Sequence, residues 1–150
     1  MAFARRNAAP LVVNAAIPAE AGVTYGVTAA TPAPGKVTFT AITVAWTSQD
    51  IAVDQDECLA IDLTKTTVTT NVQFTVARKG ADGVYYTIAT SALETAAGSD
   101  SLSVGQGVAN VADTVAATTV WSAAAAIGDI IRIVVTPTGA FTGTLSVKGK

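Results

Sequence analysis

The chain contains no histidine and a single cysteine, and its acids are concentrated in one segment; these facts bound its chemistry before any fold is considered. Without an imidazole, neither a Ser-His-Asp nor a Cys-His relay can be assembled from this chain alone, because both depend on a base that titrates near neutrality. Zinc sites built from His and Cys fail for the same reason, and one thiol cannot supply a four-cysteine site. Cys58 follows Glu57 and stands close to Asp56. Neighbouring carboxylates disfavour a thiolate, so Cys58 reads as a small core side chain rather than a nucleophile.

The segment TSQDIAVDQDECLAIDLTKT holds Asp50, Asp54, Asp56, Glu57 and Asp62. As a calcium loop of the EF-hand kind it places Cys58 where a third ligand belongs and lacks the glycine that makes the sharp turn, so it reads as a solvated acidic loop. Two phosphate-cradle lookalikes also fail. Gly35-Lys36 has Ala30 in place of the first P-loop glycine and Val37 in place of the hydroxyl residue. Gly105 and Gly107 begin a dinucleotide fingerprint that ends on Asn110. Both read as turns. Paired carboxylates for glycoside hydrolysis are defined in space rather than in sequence, and a chain this poor in aromatic residues offers little to line such a cleft. Tyr85 is the best candidate to stack on a sugar; its plainer role is to cover the outer face of a hairpin. The expectation is a chain with no catalytic, cofactor-binding or metal-binding residues, and not an enzyme.

At 150 residues, half of them apolar and 13% charged, the chain fits one domain able to bury a sizeable core. A net charge of −2 gives no field to hold a polyanion, so no nucleic-acid partner is expected. Arg5 and Arg6 near one end and Lys148 and Lys150 near the other read as solvating pairs. The lone cysteine suits a reducing cytoplasm better than a disulfide-rich secreted setting. Pro10, Asn14 and Pro18 interrupt what a signal peptide would need as a continuous apolar stretch. The charge-free run 114–128 is shorter than a spanning helix requires, so no membrane partner is expected.

Residues 1–35 hold Pro10, Pro18, Pro32 and Pro34 with no sustained period, and read as an extended Pro/Ala-rich N-terminal arm. Fully stretched it would reach at most about 120 Å. Its short apolar pieces LVV (11–13) and VTYGV (23–27) could each dock as a strand on this subunit or another. From Lys36 the pattern becomes that of strands. Val37 and Phe39 share one parity and Ile42, Val44 and Trp46 the other, so a bulge near Ala41 is expected to restore one inner face. A short strand is expected over 59–63. Alternation from Val68 to Ala77 and again from Val84 to Ala89 flanks the connection RKGADG, predicting an antiparallel hairpin turned by positive φ at Gly80 and Gly83, with Val84, Tyr86 and Ile88 facing inward. Short strands are expected around 101–104 and 114–121, with a helical turn after Ser122, followed by a terminal pair over DIIRIVVT and TLSVKGK. These elements predict an all-β antiparallel sandwich, jelly-roll-like, occupying 36–150 as a single domain behind the arm.

The stretch from Val68 to Ser91 and the terminal IGDIIRIVVTPTGAFTGTLSVKG resemble the β-sandwich modules of tailed-bacteriophage virion proteins. Asp82-Gly83 ahead of Tyr85 and Tyr86, Gly128, Asp129 and Arg132 in the penultimate strand, and Thr142-Gly143 opening the last one carry the likeness. Among such proteins the capsid decoration, or cement, proteins fit best. The resemblance implies a structural virion protein, assembled in the host cytoplasm, that binds and stabilises the major capsid protein lattice on the capsid surface as a homotrimer, using its arm as a clamp. The alternative it implies is a tail or head fibre component that binds host-surface glycan.

Overall fold

The computed structural model describes residues 21–27, 32–53, 58–106, 108–113, 118–126 and 128–149. Residues 1–20 and 28–31 of the expected arm, and Asp54, Asp56 and Glu57 of the acidic segment, lie outside them. In chain order the strands are β1 (Val23–Val27), β2 (Pro32–Ile42), β3 (Trp46–Thr47), β4 (Ile51–Ala52), β5 (Leu59–Val68), β6 (Asn71–Lys79), β7 (Tyr85–Thr90), β8 (Gly98–Gly105), β9 (Thr118–Ala124), β10 (Ile130–Thr138) and β11 (Phe141–Gly149). They form a six-stranded sheet of order β1-β2-β11-β5-β8-β9 and a second sheet of order β3-β10-β6-β7, with β4 also paired to β10. No helix occurs among the described residues, and the fold is a β-sandwich.

Alternation decides which side chains meet between the sheets. Leu59, Ile61 and Leu63 on β5, Leu102 and Val104 on β8 and Leu145 and Val147 on β11 point into the same core as Val72, Phe74 and Val76 on β6 and Ile131, Ile133 and Val135 on β10. Aromatic rings join the two layers: Phe39 packs edge-on against Trp46 at 5.1 Å, and Phe141 stands 5.8 Å from Phe39 and 6.0 Å from Phe74. Pairs in this geometry add about 1 kcal/mol each beyond the area they bury.

The expected parity switch in β2 is present. Ala41 adopts φ 49°, and the β2–β11 register slips so that Phe141 faces Ile42 while Gly143 faces Phe39. The extra residue turns Ile42 back into the core behind Phe39. Thr142 steadies the kink by accepting the Ala41 N–H on its hydroxyl at 2.9 Å. Gly143 permits the close approach, because a Cβ there would stand 2.2 Å from the Thr64 carbonyl oxygen.

Several expectations are corrected. β2 starts at Pro32 and β1 pairs with it antiparallel, so the boundary expected at residue 36 falls inside a strand, and VTYGV docks on its own subunit. Val44 is 75% exposed, because β2 ends at Ile42 and the pattern has no strand to act on. The alternation running from Val68 through Val76 belongs to two strands, with a bend at Thr69-Thr70 where the chain passes from the first sheet to the second and Thr69 N–H bonds Ala140 O at 3.0 Å. The predicted hairpin is present as β6 and β7, with a register slip between Val76 and Ala77, but only Gly83 of its two glycines has positive φ, and Val84 and Tyr86, near the turn, are exposed. The helical turn after Ser122 is strand as far as Ala124, and β8 and β9 pair in parallel rather than antiparallel fashion.

Candidate functional site

The alternation that fills the core with aliphatic residues also delivers charge into it. Lys65 is the next inward position after Leu59, Ile61 and Leu63, and Asp100 is the inward position before Leu102 and Val104. β5 and β8 pair so that Leu63 faces Asp100 and Lys65 faces Gly98. With no side chain on Gly98, the lysine runs diagonally along β8, and its Nζ reaches Asp100 Oδ2 at 2.7 Å. Glu94 arrives from the segment between β7 and β8, where a two-way backbone bridge to Val72 pins it against the second sheet. Its Oε2 lies 2.8 Å from the same Nζ. The charge cluster thus spans the two layers.

Asp113 completes the group from the connection between β8 and β9. Its Oδ2 accepts the Ala92 N–H at 2.9 Å, and nearby Val111 forms a two-way bridge with Ser122 of β9. The side chains of Lys65 and Asp100 are wholly buried and that of Glu94 is 2% exposed. One ammonium contacts two buried carboxyl groups, and the half-buried carboxyl of Asp113 lies close to both. Burial pushes the Glu94 carboxyl above its ordinary range, and the charges of Asp100 and Asp113 push it further against the pull of Lys65. Glu94 Oε1, Asp113 Oδ1 and the Trp121 indole N–H are buried with no hydrogen-bond partner among the described residues.

Oxygens from the three acids lie within 4.8 Å of one another, a span that suits one hard cation. The cation already among them is the Lys65 ammonium, which is bonded to two of the three. The arrangement is therefore an amine held against two carboxyl groups, one of them displaced toward its protonated form. Such a set can exchange protons internally and can place a nitrogen nucleophile beside a carboxyl carbon.

The residues singled out in the sequence lie elsewhere. Tyr85 sits on the outer face of the second sheet with the Arg132 guanidinium 4.1 Å from its ring centroid, and its hydroxyl donates to Asp50 Oδ1 at 2.6 Å. One ring face is therefore already taken. Arg132 Nε also donates to Asp50 Oδ1 at 2.6 Å, and Lys79 Nζ stands 3.7 Å from Oδ2. The Tyr85 bond, with help from Arg132 and Lys79, holds the Asp50 carboxyl below its usual range. Asp62 accepts from Ser101 Oγ at 2.9 Å, so two acids of the 50–62 segment are absorbed into ordinary polar contacts. Cys58 is half-buried, with Sγ near Leu59 O. Gly105 ends β8 where a Cβ would come within 2.9 Å of Cys58 Cα, and Gly35 lies inside β2; neither opens a phosphate loop. Gly107 lies outside the described residues.

Lys65, Glu94, Asp100 and Asp113 were not among the residues the sequence pointed to. The one signal available was the parity of Lys65 with Leu59, Ile61 and Leu63, which puts a lysine on a core-facing step. No protein-family model matches the chain, and neither a curated protein nor a solved structure shows significant similarity to it.

Proposed function

We propose that the protein is a structural component of a tailed-bacteriophage virion, a capsid decoration protein that binds the major capsid protein lattice as a homotrimer and stabilises it. The reading rests on the strand and turn residues that resemble such modules, and on one structural observation. At one end of the sandwich an open groove of about 610 Å³ is lined by Ala21, Gly22, Val23 and residues 40–46. Val44 stands among its lining residues three-quarters exposed, and Ala21, the first described residue, lines the same groove. Exposed apolar surface on an open groove suits attachment to a neighbouring subunit. Repeated across a lattice, such contacts reinforce one another even if each is weak. Tyr85, the best residue of the fibre alternative, has one ring face engaged by Arg132.

The test is co-sedimentation of the purified protein with capsids that lack it, followed by heating of the loaded particles. Removing residues 1–20, or replacing Val44 with Asp, is expected to leave a folded, soluble domain that binds at least tenfold more weakly and no longer protects the particles. Undiminished binding by both variants overturns the role given to this end of the molecule. Absence of binding by the intact chain overturns the reading itself.

A further inference from the structure

We propose that Lys65 and Asp100 become joined by an intramolecular amide bond, with Glu94 relaying the protons. The inference is independent of any lattice role. It rests on three observations: an amine nitrogen 2.7 Å from a carboxylate oxygen on the adjacent strand, both side chains with no solvent exposure, and a second carboxyl group 2.8 Å from the same nitrogen.

Ion pairs at such distances are common, and most remain ion pairs. Here the surroundings favour a different outcome. Two charges held out of water cost several kcal/mol each to desolvate, so passing one proton from the ammonium to the carboxylate, which leaves a neutral amine and a neutral acid, is far less uphill than in water. The amine that results is a nucleophile and the acid an electrophile. The paired strands β5 and β8 hold them in place, with the register fixed on both sides of the reacting residues. Fixed juxtaposition of this kind can replace effective concentrations of about 10⁵ M or more, enough to drive a condensation that does not proceed between free side chains. Glu94 is anchored from the opposite sheet and so does not depend on the movement of either reactant. Its raised affinity for a proton gives it one to lend and take back.

The step balances without an outside reagent. The Lys65 ammonium releases a proton that reaches the Asp100 carboxylate by way of Glu94. Nζ then adds to Asp100 Cγ, forming the C–N bond and pushing the carbonyl electron pair onto oxygen. A second proton passes from nitrogen through Glu94 to the hydroxyl group; the electron pair on oxygen returns, the C–O bond breaks, and one water leaves. The product is a secondary amide, Glu94 is regenerated, and the buried ammonium–carboxylate pair has become a neutral group. Asp113 is not consumed; its charge favours retention of the proton on Glu94.

The experiment is the intact mass of the full chain, purified and denatured, with peptide mapping after proteolysis. The wild-type chain is expected to be lighter by one water than the same chain without a cross-link, as represented by Lys65→Arg corrected for the substitution. The map is expected to contain a branched peptide joining the segments that carry Lys65 and Asp100. Glu94→Gln, nearly isosteric, is expected to fold, as judged by its circular dichroism, and to keep the full mass. Asp100→Asn is expected to lose ammonia in place of water. A folded wild-type chain at full mass overturns the proposal, whether or not it retains a divalent cation under native conditions. So does a water loss that maps to Glu94 or Asp113, or one that persists in Lys65→Arg. If the variants fail to fold, the wild-type mass and its map decide alone.

Discussion

Two groups of charged side chains, one inside the sandwich and one on its surface, use the same chemistry with opposite results. Lys65 meets Glu94 and Asp100 at 2.8 and 2.7 Å between the sheets; Arg132 meets Asp50 at 2.6 Å on the outer face of the second sheet, with Lys79 nearby. Distances alone would rank the surface pair as the stronger. The carboxyl groups answer differently. Asp50 is shifted down by its hydrogen bond to Tyr85 and the cations beside it, whereas Glu94 is shifted up despite an ammonium in direct contact. Water still reaches the surface group, whose Asp50 and Arg132 side chains keep more than a third of their exposure, so bringing the charges together removes little hydration. In the interior the lost hydration of Glu94 outweighs the attraction of the ammonium, and its carboxyl gains by giving its charge up.

The largest effect that separates the two comes from removing the buried cation. Lys65→Met leaves Glu94, Asp100 and Asp113 facing one another without an ammonium, and also removes any possibility of the amide. A cost of about 3–5 kcal/mol is expected, which for a chain of this size lowers the thermal midpoint by about 10 °C. Adding Glu94→Gln and Asp100→Asn to that variant is expected to restore a large part of the loss, because neutral groups no longer repel. Differential scanning calorimetry of the single and triple variants measures both. If the triple variant is no more stable than Lys65→Met, the loss reflects the packing of the lysine stem or the missing amide rather than stranded charge.

The next effect is in the pH dependence, where the two groups should act at opposite ends. For Glu94, whose folded-state pKa is raised above the ordinary 4.5, the native chain holds the proton more tightly than the unfolded chain. The stability from that preference is complete below 4.5 and is lost as the pH rises through the raised value. For Asp50, depressed below 3.8, the stability is present above 3.8 and is lost as the pH falls through the depressed value. Glu94→Gln should therefore flatten the decline of the urea midpoint on the alkaline side. Asp50→Asn should flatten the acid limb, and by less, since solvent screens its partners. A Glu94→Gln profile parallel to that of the wild type would show that Glu94 carries no excess proton in the native state.

The contrast also explains what the sequence disclosed. The β6–β7 hairpin and the Ala41 bulge could be read directly, because alternation, a glycine at the turn and a parity switch within one strand are local signals. The bend at Thr69-Thr70, where the chain changes sheet, was hidden because Val68, Thr70 and Val72 continue the alternation straight through it. The run after Trp121 has the helix propensity of alanine, yet Trp121, Ala123 and Ala125 are all buried, and packing against the core overrides that preference. The parallel β8–β9 pair depends on a partner chosen by topology, which no local pattern encodes. The buried charges were hidden for a similar reason: Glu94 and Asp113 come from segments without periodicity, and only the folded chain brings them to Lys65. The densest acidic run drew attention, while the acids that matter to the core stand one at a time.

The smallest effect sharpens the comparison from the surface side. Asp50 accepts from both Tyr85 and Arg132, and Arg132 lies over the Tyr85 ring, so the three form a closed, half-buried set on the outer face of the second sheet. Replacing Asp50 with Asn is expected to cost about 0.5 kcal/mol, and replacing Arg132 with Ala about 1 kcal/mol, since the latter also removes the guanidinium from the ring. A double-mutant cycle over the two should return a coupling below about 1 kcal/mol that shrinks when salt is raised, because the Debye length falls from about 10 Å at 0.1 M to about 3 Å at 1 M. The same cycle over Lys65 and Asp100 should be larger and insensitive to salt, since no mobile ion reaches a pair with no solvent exposure. Equal couplings with equal salt response would mean that burial does not set the difference between the two groups, and that both owe their strength to contact geometry alone.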